Sequence, residues 1–131
     1  MPQDSRMESS VTVEFLDRFA EAWNHHDADK ILSMMTADCV MYLSAGPDPN
    51  GRRLVGRDAV NAAIIDLFNS LSDAQWSGAT HFVAGDRGVT QWTFTATRPD
   101  GTKVNSVGCD VFTFRSGLIA TKDSYRKQVA Y

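Results

Sequence analysis

From Gln75 almost to the C-terminus, apolar and polar residues alternate with period two, and only three short turn signals interrupt the alternation. Those signals are Gly85-Asp86-Arg87-Gly88, Pro99-Asp100-Gly101 and Ser116-Gly117. Proline presets φ for a turn and glycine accepts a positive φ, so Pro99-Asp100-Gly101 is a tight hairpin. The pattern predicts four strands, at about residues 75–84, 88–98, 103–115 and 117–128. Connections this short make them antiparallel neighbours. Such a sheet must bury one face against another part of the chain.

The cover comes from the first half. Phe15, Phe19 and Trp23 recur every four residues, with Leu16 and Ala20 beside them. This is one apolar helix face, ending near Asn24, with Ser10 as the expected N-cap. A second, short helix follows Asp27, its expected N-cap, with Ile31, Leu32 and Met35 turned inward. Residues 40–43 read as a strand, and 44–51 are loop chemistry throughout. An extended piece at 53–55 leads into a third helix, from Gly56-Arg57-Asp58 to about Leu71. Val60, Ile64, Leu67, Phe68 and Leu71 form its stripe.

Alternation also sorts the two sheet faces. Trp76 with Phe82, Trp92 with Phe94, Phe112 with Phe114, and Ile119 with Tyr125 fall on one side. A sheet coiled over so many rings closes into a cone with one open end. The expected fold class is therefore α+β: a cone-shaped, curved antiparallel sheet wrapped around three N-terminal helices. Its wide end should hold an apolar cavity with a few polar groups, the usual anatomy of a small-molecule site. The other face carries Thr93, Thr95, Val107, Cys109, Val111 and Thr113. Its apolar patch predicts a homodimer through the outer sheet face.

Composition narrows the function classes. The net charge of −3, with both signs mixed along the chain, provides no field for nucleic acid. There is no basic amphipathic stretch for a membrane surface and no apolar run of the ~18 residues a span needs. Residues 1–9 read as a flexible, polar arm without a signal core, and 10–131 as a single domain, so the expected location is cytoplasmic. Cys39 and Cys109 sit in apolar runs without CxxC spacing and read as reduced, packed thiols. The 46–51 loop lacks a phosphate-loop lysine, and GxSxG, HExxH and GxGxxG are absent. No cofactor and no metal is implied.

Several segments together resemble the SnoaL-like (polyketide cyclase-like) branch of the nuclear transport factor 2-like superfamily. They are Phe19-Ala-Glu-Ala-Trp23-Asn-His-His-Asp27, Thr36-Ala-Asp38-Cys-Val40, Gly56-Arg-Asp58-Ala-Val60 and Gly85-Asp86-Arg87. Trp92, Gly108-Cys-Asp110-Val-Phe112-Thr-Phe114-Arg-Ser-Gly117-Leu-Ile119 and Asp123-Ser-Tyr125 continue the series. The resemblance spans residues 11–127 and implies the cone fold. It also implies a pocket for a small apolar or polycyclic organic ligand.

Asp110 shares parity with Phe112 and Phe114, so it should point into the cavity. There it resembles the acid/base aspartate that SnoaL-like cyclases carry on the same strand. A carboxylate in an apolar chamber suits proton transfer near neutral pH, unless backbone amides or a lysine satisfy it. Asp123 and Tyr125 share the inward parity expected of the last strand. Asp123 also reads as a solvated surface residue within Lys122-Asp123-Ser124, and Tyr125 as a core ring. Asp27 is a cap by its position, and a base by resemblance to relatives with an aspartate at the end of the first helix. Its neighbours His25 and His26 read as exposed imidazoles. His81 tempts as a partner of Asp110, but it shares parity with Ser77 and Ala79, which puts it outside unless a bulge intervenes. Trp23, Tyr42, Trp92 and Phe112 complete the expected ligand-binding wall. Two kinds of function stay open. One is an acid/base isomerase, cyclase or dehydratase acting next to a carbonyl through Asp110. The other is a non-catalytic ligand-binding or dimerising module, or an accessory subunit of a larger oxygenase.

Overall fold

In the computed structural model, residues 10–130 are described. Helix α1 (Val13–Asn24) starts two residues later than the Ser10 cap implies: Thr12 is the N-cap, and its hydroxyl accepts the Phe15 N–H at 3.1 Å. Its apolar stripe buries Leu16, Phe19, Ala22 and Trp23. Helix α2 (Ala28–Ser33) is capped by Asp27, which accepts the Lys30 N–H at 3.1 Å. Strands β1 (Met35–Tyr42) and β2 (Arg53–Val55) precede helix α3 (Arg57–Ser70), which buries Val60, Ile64 and Phe68. The long strands are β3 (Gln75–Ala84), β4 (Arg87–Thr97), β5 (Lys103–Arg115) and β6 (Leu118–Arg126).

All six strands form one sheet in the order β2-β1-β6-β5-β4-β3. The four C-terminal strands are antiparallel neighbours, as the short turns require. Strand β1 adds a parallel pairing to β6 that period-two reading did not show. The register of that pair shifts between Met35 and Val40, so the alternation that marks a strand is broken there. The concave face packs on α1. The Phe19 and Phe112 rings meet edge-on at 5.9 Å, and Trp23 meets Trp76 at 5.3 Å. Asn24 fastens helix to sheet: its Oδ1 accepts the Trp76 N–H at 2.7 Å, and its Nδ2 donates to the Trp76 carbonyl at 3.0 Å. His26 is not an exposed imidazole. It stacks on Phe68 at 4.2 Å, and its Nε2 lies 2.7 Å from the Ala74 carbonyl.

Two irregularities re-aim side chains. In β3, Ser77 pairs with Thr93 and Thr80 with Gln91, so Gly78 and Ala79 together oppose Trp92. A bulge reverses the parity beyond it. Phe82, expected inside, is 64% exposed, and His81 turns inward with a side chain 3% exposed. In β6, Ile119 pairs with Phe114 but Thr121 with Thr113, leaving Ala120 as the extra residue. Beyond Ala120 the inward positions are Lys122 and Ser124, each paired with an inward residue of β5, Phe112 and Asp110 respectively.

Candidate functional site

The interior of the cone contains a buried charge pair. Asp110 (β5) is 6% exposed and Lys122 (β6) 7% exposed. Lys122 Nζ stands 3.1 Å from Asp110 Oδ1. Ser124, opposite Asp110 in the ladder, donates its hydroxyl to the same oxygen at 2.6 Å and accepts from Lys122 Nζ at 3.0 Å. Trp92 (β4) donates its indole N–H to Asp110 Oδ2 at 3.0 Å. The ammonium also lies 4.6 Å from the centre of the Trp23 ring, over its face, which adds a cation–π attraction. Two charges taken out of water are tolerable only when paired and hydrogen-bonded in this way. One acceptor position on Oδ2 is left over after Trp92.

Gly108 keeps Trp92 in place. The two residues face each other across β4 and β5, and a Cβ at 108 would lie 2.5 Å from the Trp92 ring. No side chain fits there without displacing the indole that bonds Asp110.

The space around the pair has two compartments. A narrow chamber of about 20 Å³ lies between α1 and the sheet, lined by Leu16, Phe19, Ala79, Thr90, Asp110 and Phe112. A wider space of about 250 Å³ opens at the mouth, lined by Met41, Leu67, Phe94, Ser124 and Arg126 among others. Trp23, Trp76, Trp92 and Lys122 border both. The single wide cavity expected from the sequence is thus divided by three indoles and an amine. Trp23 Nε1 is buried and has no hydrogen-bond partner among the described residues.

Each expected site residue has a definite place. Asp110, Trp23, Trp92 and Phe112 line the interior as expected. His81 is inside as well, with Nδ1 2.7 Å from Thr90 Oγ1 and Nε2 2.9 Å from Asp17 Oδ1. Asp123 and Tyr125 do not face the interior, because the Ala120 bulge turns them to the outer face. There the Tyr125 hydroxyl donates to Asp123 at 3.0 Å, and Tyr125 is 55% exposed. The hydrogen bond to the Asp123 carboxylate and its charge raise the Tyr125 phenol above its ordinary value. Tyr42 pairs with Asp123 of the neighbouring strand, and its hydroxyl accepts from Arg53 at 3.2 Å, so it does not line the inner wall. Asp27 is exposed and serves as a cap. Alternation does not find Lys122 and Ser124, because they follow the bulge and their charged neighbourhood reads as surface.

Among the described residues, no group of three or more His, Cys, Asp or Glu side chains converges as a metal site. Nor is any helix there long and apolar enough to cross a membrane. Cys39 and Cys109 are free thiols, and burial is the main cause raising both above the ordinary thiol value.

A coiled sheet closed on α1, with a charge pair on its inner face, defines a cone-shaped α+β pocket protein. The model of the SnoaL-like domain matches residues 16–122, and the chain belongs to that family. The chain has no match among curated proteins. A polyketide cyclase-like protein from Xanthomonas campestris superposes with a TM-score of 0.75 at 21% identity, over 84% of this chain and 85% of that one. An isomerase-like protein from Bacillus subtilis gives 0.73 at 16% identity, over 87% and 84% of the two chains. TerC, co-crystallised with polyporic acid, gives 0.74 at 18% identity, over 88% and 90%. At these identities the likeness establishes the fold and leaves the chemistry to the residues.

Proposed function

We propose that this protein binds a small carbonyl-containing organic molecule at the mouth of the cone and moves a proton at the carbon beside that carbonyl. Asp110 takes the proton from the carbon. Lys122 Nζ, held against Asp110 and Ser124, faces the oxygen on which the enolate charge develops. Isomerisation, cyclisation and dehydration all share this step. The observation that carries this assignment is the burial of Asp110 and Lys122 together, with two neutral donors: Asp110 lines the narrow chamber, and Lys122 borders both interior spaces. Trp23 Nε1, buried and without a partner among the described residues, is a further donor on the same wall. The co-crystallisation of TerC with polyporic acid supports a small organic guest. The working form is a cytoplasmic homodimer joined through the outer sheet face. Support comes from the free thiols and from Val107, exposed on that face.

The test is deuterium entry at the α-carbon of 2-tetralone in D2O, a ketone whose exchange needs only a base. Wild type should accelerate it, and Asp110→Asn should remove about two orders of magnitude or more of that acceleration while circular dichroism stays native. An Asp110→Asn protein as fast as wild type excludes Asp110 as the base. A second reading, a non-catalytic binder, is favoured by one observation: both oxygens of Asp110 already have internal donors. It predicts that 2-tetralone binds without exchange.

A further inference from the structure

The proton-transfer role leaves one buried cluster unused. His81 lies between an exposed carboxylate and the narrow chamber: its side chain is 3% exposed, while that of Asp17 on α1 is 63% exposed. On the other side of the ring, Thr90 is 4% exposed and lines the chamber together with Asp110, its direct partner across β4 and β5. The contacts are short, 2.9 Å from Nε2 to Asp17 Oδ1 and 2.7 Å from Nδ1 to Thr90 Oγ1.

These contacts set the direction of the protons. A carboxylate only accepts, so the neutral ring keeps its proton on Nε2, facing Asp17. Nδ1 is then an acceptor, and the Thr90 hydroxyl donates to it. The lone pairs of Thr90 Oγ1 remain for a donor in the chamber. With about 20 Å³, that chamber has room for one water between Thr90 and Asp110. The bulge at Gly78-Ala79 turns His81 into this position, and bulges recur beside active sites for this reason.

We infer that Asp17, His81 and Thr90 form a proton relay that links the narrow chamber at Asp110 to solvent on the side away from the mouth. It rests on Asp110 acting as the base. A proton leaving the Asp110 carboxyl passes to the chamber water. That water gives a proton to Thr90 Oγ1 as the Thr90 hydroxyl proton moves to His81 Nδ1. The imidazolium so formed is offset by the Asp17 carboxylate, and its Nε2 proton leaves to solvent at Asp17. Inward traffic runs the same hops in reverse and restores the starting tautomer. One proton out and one in is what removal and return of a proton at a substrate carbon requires. The relay lets Asp110 exchange with solvent while a ligand fills the mouth. His81 and Thr90 are therefore relay residues and Asp17 a positioning residue.

Two measurements on the full chain test it. Nitrogen-15 NMR of the histidine rings should show His81 protonated on Nε2 and bare at Nδ1; the opposite tautomer overturns the relay. Deuterium entry into 2-tetralone supplies the second readout. Asp17→Asn and Thr90→Val should each slow it about tenfold or more while tetralone still quenches tryptophan fluorescence, and Thr90→Ser should keep it. Asp17 is exposed, so its variant separates the relay from any folding defect of the buried ones. Variants that exchange as fast as wild type overturn the relay and leave the role of Asp110 standing. A wild-type protein that does not accelerate deuterium entry into 2-tetralone overturns that role and the relay with it.

Discussion

Asp110 is reached by an amine, a hydroxyl and an indole from three different positions of the sheet, and that arrangement makes its neighbours unequal. Trp92 and Ser124 are neutral donors; Lys122 is the only one that balances charge. Lys122→Met therefore leaves a buried carboxylate unpaired and should cost about 3–5 kcal/mol in denaturant unfolding. Asp110→Leu combined with Lys122→Met removes both charges and should recover most of that loss, because a well-packed apolar pair replaces a desolvated ionic one. The double variant should regain stability without regaining tetralone exchange. A Lys122→Met variant as stable as wild type would mean that the pair is not desolvated.

At the scale of the elements, periodicity carried the fold a long way. The three helix stripes, the Asp27 cap and the four long strands follow from spacing and turn chemistry, with ends within two residues. The inward aim of Asp110, Trp92 and Phe112 follows from parity along β4 and β5, which pair without a break from Arg87 to Thr97. Parity fails where a strand takes an extra residue. The irregularity at Gly78-Ala79 exchanged His81 with Phe82, and Ala120 exchanged Lys122 and Ser124 with Asp123 and Tyr125. A bulge costs no apolar residue and leaves the composition of the strand unchanged, so alternation alone does not locate it. Gly78, with φ of 63°, is the one visible hint: a glycine inside a strand pattern. Nothing comparable marks Ala120. Lys122 and Ser124, the partners of Asp110 on β6, are hidden for that reason, while Asp110 and the wall of Trp23, Trp92 and Phe112 are legible.

Across the whole molecule, the sheet separates two kinds of surface. Inside are the charge pair, three indoles and the His81 cluster. Outside, a groove of about 590 Å³ runs between the loop at Pro49-Asn50-Gly51 and the outward residues Cys109, Asp123 and Tyr125. The outer groove is larger, but its Asp123 and Tyr125 are paired with each other, and Tyr125 is 55% exposed. If the outer face joins two copies, light scattering should give twice the chain mass of 14.5 kDa, and Val107→Lys should return it to one. A wild-type mass of a single chain would exclude the dimer. The most direct test of where chemistry occurs is a crystal structure of the protein with 2-tetralone. The ketone should lie among Trp23, Trp76 and Trp92, its oxygen within hydrogen-bond reach of Lys122 Nζ and its α-carbon toward Asp110. A ketone seated against Tyr125 in the outer groove, with the interior unchanged, would contradict the account.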